Sequence, residues 1–258
     1  FTFGELGPLA TDLYLPALPA IAAGLGSSIE EVQWSITVFL AGFALGMLAY
    51  GPLSDRYGRR PTMLAGISLF VLGSLGCLLA SRVDYLYAAR LAQALGGGAA
   101  WVLARTAVRD LYPPIQAVRK LSLLAMVTAV APLMAPLLGA ILLNLFGWRA
   151  PFGWLLGWGL FALLIVWSRF PETLPVERRD NLPLAAAFGA YARLLADPAS
   201  IGLLLAGGMS FAAMFAYITA GPFFFIELNG LSPFSYSVVF AANALGIFLV
   251  SYLNSRLV

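Results

Sequence analysis

The stretch Gly51-Pro52-Leu53-Ser54-Asp55-Arg56-Tyr57-Gly58-Arg59-Arg60-Pro61 separates two long apolar runs that carry no charged residue. The first run covers residues 32–54 and the second covers residues 61–81. Each run is long enough to cross a bilayer, because about 20 apolar residues span the hydrocarbon. The sequence therefore predicts two membrane helices that are joined by a tight, basic loop at one face of the membrane.

The composition extends this prediction to the whole chain. Of the 258 residues, 61% are hydrophobic and only 10% are charged, whereas soluble domains carry about 25% charged residues. The pI of 9.2 does not indicate nucleic-acid binding, because the basic residues fall in short loops, where positive charge collects in membrane proteins. We therefore expect an integral membrane protein that contacts the lipid bilayer and no nucleic acid.

The chain contains no histidine, and Cys77 is its only cysteine. Neither a zinc site of the usual ligand types nor a Ser-His-Asp or Cys-His apparatus can be built from such a chain. We expect no enzyme activity, no metal and no cofactor, and we expect Cys77 to be inert packing. The chain opens with Phe1 and shows no cleavable signal peptide, so we expect it to begin inside the first span.

Eight membrane-spanning helices are predicted, because apolar runs that are continuous and do not alternate favour helices over strands in lipid. They cover residues 1–20, 32–54, 62–81, 85–107, 120–146, 150–168, 199–226 and 233–255. Outside the spans, nearly all arginines and lysines fall on the face of the 51–61 loop, and only Arg82 and Arg149 lie on the other. The positive-inside rule places the first face in the cytoplasm.

A change in composition and an internal repeat divide this all-α polytopic membrane protein into two halves. Residues 170–198 are rich in charge and proline, and they predict a cytoplasmic linker with a short amphipathic helix near Leu184–Leu195. Residues 35–56 and 235–256 share an Ala-Leu-Gly and a terminal Leu-x-x-Arg at the same spacing. Parallel six-helix repeats would then give about eight of twelve helices. The predicted units are a six-helix bundle at 1–169, the linker at 170–198, and the first two helices of a second bundle at 199–258.

Asp12 is the leading functional candidate, because an acid inside a membrane span is costly and usually marks a site. Burial favours the protonated form of a carboxyl group, as a proton carrier needs. Glu5 lies about two helical turns earlier on a similar face and is the rival proton site. The simpler alternative is an acid at the outer end of the helix, solvated or paired, since Pro16 and Pro19 indicate that the helix is ending.

Arg90 needs a partner or water at its depth in the fourth span, and Gln93 follows one turn later on the same face. The run Gly96–Ala100 allows another helix to approach closely. The alternative is an interfacial arginine whose guanidinium reaches outward to the membrane surface. Arg105 either binds an anionic group in a cavity or anchors the end of the same helix.

A second group of charges gathers at the opening stretch. Its members are Gly51, Asp55, Arg56, Gly58, Arg59 and Arg60, with Asp110 at the end of the fourth span. We expect Asp55 to pair with basic groups, Arg59 to reach Asp110, and Gly58 to permit a left-handed turn. Such pairs hold one face shut and break when the molecule changes conformation, so a conformational switch is predicted. Plain positive-inside anchoring is the alternative, and it explains the arginines but not Asp55 or the glycines.

The fifth span contains two prolines four residues apart, Pro132 and Pro136, which remove hydrogen bonds and bend a helix. Together with Ala131 and Ala135, Gly139 makes one close-packing face. A bent packing helix with no further role is the alternative. The candidates to line a cavity for a flat or amphiphilic compound are Arg105, Gln93, Tyr14, Met134 and Phe215, whereas most other aromatic side chains are expected to pack or to face lipid.

Six motifs together resemble the Bcr/CflA group of drug:proton antiporters in the major facilitator superfamily. They are Asp12–Pro19, the 51–61 stretch, Val108–Tyr112, Ala131–Pro136, Pro171–Pro175 with Glu177–Arg179, and Ala220–Phe223. The 51–61 motif is shared across the superfamily, and Arg90–Ala100 resembles the fourth-helix signature whose arginine is linked to proton coupling. The fifth-helix motif resembles the exporter signature in part, because the usual form is richer in glycine.

The resemblance implies a major facilitator fold and a bacterial inner-membrane exporter that moves drugs such as chloramphenicol or bicyclomycin-like compounds against an inward proton flow. Alternating access would use protons as the coupling ion, with Asp12 or Glu5 as the carrier and Arg90 as an electrostatic modulator. We expect a multi-pass monomer with a cytoplasmic central loop, lacking the last four helices of the family plan. A proton-coupled uptake symporter of the same fold remains open, as does a non-transporting membrane scaffold or a fragment completed by a partner chain.

Overall fold

The computed structural model describes residues 6–179 and 184–257, and every regular element in these ranges is helical. The α-helices are α1 (Leu6–Asp12), α2 (Leu18–Leu25), α3 (Ile29–Tyr57), α4 (Arg59–Leu79), α5 (Val83–Leu111), α6 (Pro114–Phe146), α7 (Ala150–Arg169), α8 (Leu184–Ala196), α9 (Pro198–Pro222) and α10 (Pro233–Leu257). Short 3-10 helices occur at Leu15–Ala17 and Val176–Arg178, and a π-helix occurs at Phe223–Leu228. The predicted all-α fold class is confirmed.

The first predicted span extends beyond residue 20 to Leu25 and is interrupted. α1 ends at Asp12, a 3-10 turn follows, and α2 continues to Leu25. The expectation that Pro16 and Pro19 end the helix is therefore wrong. Each proline stands in the first turn of the next helical piece, where the missing N–H costs no hydrogen bond. Asp12 consequently lies at a break within the segment and not at its outer end.

The predicted basic loop at 51–61 is wrong, because this stretch is almost entirely helical. α3 begins at a capping box in which Ser28 and Glu31 satisfy each other's backbone N–H groups, and it continues to Tyr57. α4 begins at Arg59, so only Gly58 separates the two helices. The φ of Gly58 is +100°, in a region that residues with a Cβ atom rarely adopt. The left-handed turn predicted there is confirmed.

α5 packs against both α3 and α4, and the backbones of α4 and α5 come into direct contact. A Cβ atom on Gly73 would lie 2.3 Å from the backbone nitrogen of Gln93, and one on Gly96 would lie 2.3 Å from that of Phe70. Small residues therefore set the distance between these helices, as is typical of helix packing in lipid. α7 covers α4, and α6 packs on both α1 and α10.

Within residues 6–179 and 184–257, four helical segments are long and apolar enough to cross a membrane by length and composition. They are Leu6–Leu25, Ile29–Tyr57, Arg59–Leu79 and Ala150–Arg169. α5 is as long as α3 but carries Arg90 and Gln93, whose side chains are fully buried inside the bundle. Large apolar residues such as Leu72 and Leu79 instead lie exposed on the outer surface, where lipid satisfies them. The molecule is a multi-pass membrane protein.

The segment after α7 contains the short helix that was predicted near Leu184–Leu195, and the structure places it at Leu184–Ala196 as α8. The Tyr191 hydroxyl of α8 donates a hydrogen bond to the Leu48 carbonyl of α3 at 3.1 Å. Asp197 then caps α9 by accepting a hydrogen bond from the Ser200 backbone N–H, and the bonds from Ser200 lower the pKa of its carboxyl. The division into units at 1–169, 170–198 and 199–258 stays a prediction.

Candidate functional site

Asp12 closes α1 at the break in the first segment, and only 5% of its surface is exposed. Its carboxyl group makes no hydrogen bond or ion pair with any residue in the described ranges 6–179 and 184–257. The alternative of a solvated or paired acid at the helix end is therefore wrong within those ranges. Burial without a cationic partner penalises the charged form of a carboxyl. Glu5, the rival acid, lies outside the described residues.

Arg90 is fully buried in α5 and reaches the same break. Its Nη1 donates one hydrogen bond to the Ala10 carbonyl of α1 at 2.9 Å and another to Gln93 Oε1 at 2.7 Å. The guanidinium also lies over two aromatic rings, 4.4 Å from the Tyr14 centroid and 4.1 Å from that of Phe39. Such rings attract a cation through their negative faces. The alternative of an arginine that reaches the membrane surface is wrong, and the predicted partner Gln93 is confirmed.

Gln93 is held on both sides of its amide group. Its Oε1 accepts from Arg90, and its Nε2 donates to Ser74 Oγ of α4 at 2.8 Å. Ser74 in turn donates to the Phe70 carbonyl at 2.8 Å, and Cys77 packs beside the same amide, buried as predicted. The structure thus places Gln93 between α4 and α5, where it fixes Arg90.

Tyr14 connects this network to α3. Its hydroxyl shares a hydrogen bond of 3.0 Å with Ser35 Oγ, and Ser35 donates to the Val32 carbonyl at 2.6 Å. The ring packs between the Arg90 guanidinium and Phe152 of α7, whose centroid is 5.9 Å away. Tyr14, predicted as a cavity residue, is fully buried and therefore serves in this structure to join three helices.

α6 also packs against the break, where it contacts α1 and the 3-10 helix Leu15–Ala17. A Cβ atom on Gly139 would lie 1.8 Å from the Leu13 carbonyl oxygen, so only glycine fits there. The Pro136 carbonyl accepts a hydrogen bond from Ser237 Oγ of α10 at 3.1 Å. The backbone of α6 stays helical through both prolines, and the bend predicted at Pro132 and Pro136 stays a prediction. The side chain of Pro132 lies outside the described residues.

Of the other predicted cavity residues, the structure describes the side chains of Arg105 and Met134. Arg105 stacks on Trp101 of its own helix at 3.5 Å and donates from Nη1 to the Trp101 carbonyl at 2.9 Å. Met134 is more than half exposed, and the side chain of Phe215 lies outside the described residues. The cavity roles of these three residues stay predictions.

A second site surrounds the α3–α4 turn and centres on Arg59, which is only 7% exposed. Its Nη1 contacts Asp55 Oδ1 at 2.5 Å and Ser54 Oγ at 2.6 Å, and its Nε donates to Asp110 Oδ2 at 3.0 Å. The predictions that Asp55 pairs with a basic group and that Arg59 reaches Asp110 are confirmed. Through them, one guanidinium joins the ends of α3, α4 and α5.

The segment after α7 also contacts this turn. The sequence did not predict that contact. Glu172 Oε1 accepts from the backbone N–H of Arg59 at 2.9 Å, and Glu172 Oε2 lies 3.5 Å from an Arg179 nitrogen. Thr173 Oγ1 donates to Asp110 Oδ2 at 3.1 Å. We call Ser54, Asp55, Arg59, Asp110, Glu172 and Thr173 the turn cluster. The sequence did show an acidic residue, Glu172, just past the sixth span. Its partner Arg59 lies 113 residues earlier in the chain, so the contact could not be predicted.

Three residues predicted for the switch lie beside the turn cluster. Arg60 donates to the Trp167 carbonyl of α7 at 2.7 Å, and the Arg56 guanidinium lies over the ring of its neighbour Tyr57. Gly51 faces α8, since a Cβ atom there would lie 3.7 Å from the Tyr191 hydroxyl. In the part of the chain that the structure describes, no group of three Cys, Asp or Glu side chains could hold a metal ion.

Known proteins resemble this chain in sequence and in the arrangement of helices. The sequence profile described as Major Facilitator Superfamily matches residues 6–258. The uncharacterised MFS-type transporter YdgK of Bacillus subtilis (strain 168) is 39% identical over 253 residues, which are 97% of this chain and 63% of that protein. The bicyclomycin resistance protein homolog of Haemophilus influenzae (strain ATCC 51907) is 33% identical over 253 residues, 98% of this chain and 64% of that protein.

The fold is also found in a solved transporter. A bacterial homolog of the human lysosomal transporter Spinster, in an inward-facing and unoccupied conformation, gives a TM-score of 0.75 at 21% identity, over 99% of this chain and 60% of that chain. At this identity the likeness shows the fold alone. The predicted resemblance is confirmed, and these relatives are transporters, not enzymes. The chain spans less than two thirds of their length.

Proposed function

Because this chain belongs to the Major Facilitator Superfamily, we propose that it works in proton-coupled export of drug-like, amphiphilic compounds by alternating access. The observation that carries the proposal is Asp12, a buried carboxyl without a partner among the described residues, placed at a break in the first membrane segment. A lone intramembrane acid is costly and usually functional. The export direction and the drug class are supported by the bicyclomycin resistance homolog at 33% identity.

Arg90 is the proposed modulator of this proton site. It makes no ion pair with Asp12, but its hydrogen bond to the Ala10 carbonyl holds the turn of α1 that precedes Asp12. In the proposal, Arg90 acts on Asp12 by holding this turn in place. In the proposal, Asp12 binds a proton in one conformation and releases it in the other, and drug and proton compete for the cavity.

The turn cluster is proposed to hold one face of the molecule closed. Its ion pairs and hydrogen bonds join the ends of α3, α4 and α5 to the segment after α7. Alternating access requires that one face separates while the other closes, so these contacts form in one state and loosen in the other. In the proposed bacterial inner membrane, this face and the central loop are cytoplasmic, as the charge distribution predicts, and the protein is a monomer.

The proposal is tested by drug transport in everted membrane vesicles with an imposed proton gradient. The chain is joined to the C-terminal remainder of YdgK for this assay, because it spans 63% of that relative. Asp12→Asn is expected to abolish gradient-driven drug movement, whereas Asp84→Asn, at a side chain that is 70% exposed, is the matched control. Wild-type transport in Asp12→Asn contradicts the assignment. Drug movement along the proton flow favours the uptake symporter, and no movement of any drug favours the scaffold.

A further inference from the structure

α3 contains a proline in its interior. Pro52 lies between Ile29 and Tyr57, the ends of this helix, and the backbone stays helical through it. In an α-helix each N–H donates to the carbonyl four residues earlier, so the helical partner of the Leu48 carbonyl would be the N–H of residue 52. A proline has no N–H. Pro52 therefore leaves the Leu48 carbonyl without its helical donor.

The Leu48 carbonyl lies in a part of α3 where lipid cannot satisfy it. Leu48 belongs to the uncharged run at residues 32–54, and its side chain is half exposed. The nearest charged residue in the sequence, Asp55, follows about two helical turns later. Hydrocarbon supplies no hydrogen-bond donor, and a carbonyl that has no bond in such surroundings is unfavourable. A donor from elsewhere in the molecule is therefore needed at this point of α3.

That donor comes from α8. The Tyr191 hydroxyl donates a hydrogen bond to the Leu48 carbonyl at 3.1 Å, across 143 residues of chain. A Cβ atom on Gly51 would lie 3.7 Å from the same hydroxyl oxygen, so the turn that contains Pro52 lies against the tyrosine. Of the carbonyls along this 29-residue helix, Tyr191 bonds the one that the interior proline leaves without an N–H.

We propose that Tyr191 is a positioning residue that holds the segment after α7 on α3, and that Pro52 creates its docking point. In membrane helices, groups from neighbouring segments re-satisfy the backbone carbonyls that a proline frees. Here the neighbouring segment is α8, which packs on α3. Separation of α8 from α3 leaves the Leu48 carbonyl unpaired, so this bond stabilises the docked position more than a bond between groups that water can satisfy.

The bond connects α3 to the start of the predicted second half. α8 ends at Ala196, and Asp197 leads directly into α9 at Pro198. The same segment is held near its beginning by Glu172, which accepts from the first residue of α4. With Glu172 at one end and Tyr191 at the other, the segment keeps the start of α9 beside α3. Release of Tyr191 frees α9 to move, whichever group carries the proton.

The test is amide hydrogen exchange of α8, measured by mass spectrometry on the chain in lipid nanodiscs, because exchange reports the local opening of a segment. Tyr191→Phe keeps the ring and removes the donor. We expect α8 to exchange about fivefold to tenfold faster in this variant, as for the loss of a hydrogen bond that leaves a carbonyl unpaired. Tyr85→Phe, at an exposed tyrosine of α5, is the matched control and is expected to leave the exchange of α8 unchanged.

Pro52→Ala separates the proposed docking point from ordinary packing. Alanine restores the N–H that bonds the Leu48 carbonyl within α3, so in this background Tyr191→Phe is expected to change the exchange of α8 less than twofold. Pro52→Ala alone is expected to speed the exchange, because α3 no longer needs the outside donor. Unchanged exchange in Tyr191→Phe, or an equal effect of Tyr191→Phe in both backgrounds, overturns the inference. The measurement uses neither drug nor proton gradient, so its outcome is independent of transport through Asp12.

Discussion

Arg90 shows how one residue keeps the break in the first segment ordered. The last carbonyls of a helix have no partner within that helix, and Arg90 supplies a donor to the carbonyl of Ala10 in the last turn of α1. Its charge meets no carboxylate within the described residues. Two ring faces and two oxygen acceptors offset the charge instead.

In the fusion with the YdgK remainder, Arg90→Lys is expected to lower drug transport at least tenfold. It is also expected to lower the free energy of unfolding by about 2 kcal/mol, the size of a desolvated cation–π interaction. Both hydrogen bonds come from the single nitrogen Nη1, so an ammonium group can keep them, but it lacks the planar guanidinium that lies over both rings. Arg82→Lys, at an exposed side chain, is the control. The measurements are drug transport in vesicles and thermal unfolding in detergent, and wild-type behaviour in both would contradict the role of the guanidinium.

Gly139→Ala is expected to damage both folding and transport. The new methyl group would lie 1.8 Å from the Leu13 carbonyl oxygen, which is backbone and cannot rotate away, so α6 must move off the break. The expected cost is about 1–3 kcal/mol, as for overpacking in a core. Gly157→Ala on α7 is the matched control, since no atom lies within 4 Å of its added Cβ. Equal melting temperatures for the two variants would refute the close approach.

The sequence predicted the charged residues of both sites better than their neighbours. Asp12, Arg90 and the pair of Arg59 with Asp110 stand out because an ion in an apolar span, or beside one, needs a reason. Ser35 and Ser74 could not be predicted, since a serine that bonds across two helices looks like any other small residue. Gln93 was predicted with its partner, yet its placement between α4 and α5 depends on packing that a single helix does not encode.

At the scale of elements, the turn cluster owes its strength to a carboxylate at the start of a helix. Glu172 accepts the N–H of Arg59, the first residue of α4, and a negative charge is favourable at that end of a helix. The same carboxylate faces Arg179. One side chain thus links the segment after α7 to the turn that joins α3 and α4.

Glu172→Gln is expected to loosen this face and to speed labelling of a cysteine placed at the buried residue Val108. A hydrogen bond to a charged group contributes about 1.5–3 kcal/mol, which corresponds to roughly tenfold faster labelling or more. Cys77 is buried and gives little background. Glu177→Gln changes an exposed acid of the same segment and is the control. Equal labelling rates in both variants would show that Glu172 does not hold the face closed.

The sequence predicted the helices but not where some of them end. The charges at 55–60 suggested a loop, because charge marks the edge of a membrane; α3 and α4 nevertheless continue past that edge and turn at Gly58 alone. In the first segment, Pro16 and Pro19 suggested an end, but prolines also begin helices. Both errors arise because composition indicates which residues lie in the membrane, but not where the hydrogen bonds of a helix end.

At the scale of the whole molecule, α5 packs against α3 and α4, α7 covers α4, and α6 contacts both α1 and α10. Residues 199–258 supply two helices of the predicted second half, and a major facilitator cavity lies between two halves. We expect the chain joined to the C-terminal remainder of YdgK to export drug in vesicles, and the chain alone to export none. Equal activity of the two proteins would show that the cavity is complete without that remainder.

The central claim is that drug and proton compete through Asp12, and drug-induced proton release measures it most directly. The fusion with the YdgK remainder is held in weakly buffered detergent solution with a pH-sensitive dye, and drugs from a panel that includes chloramphenicol are added. We predict proton release from the unmodified fusion and from Asp84→Asn, but none from Asp12→Asn. Release that persists in Asp12→Asn, or no release with any drug, would contradict the account.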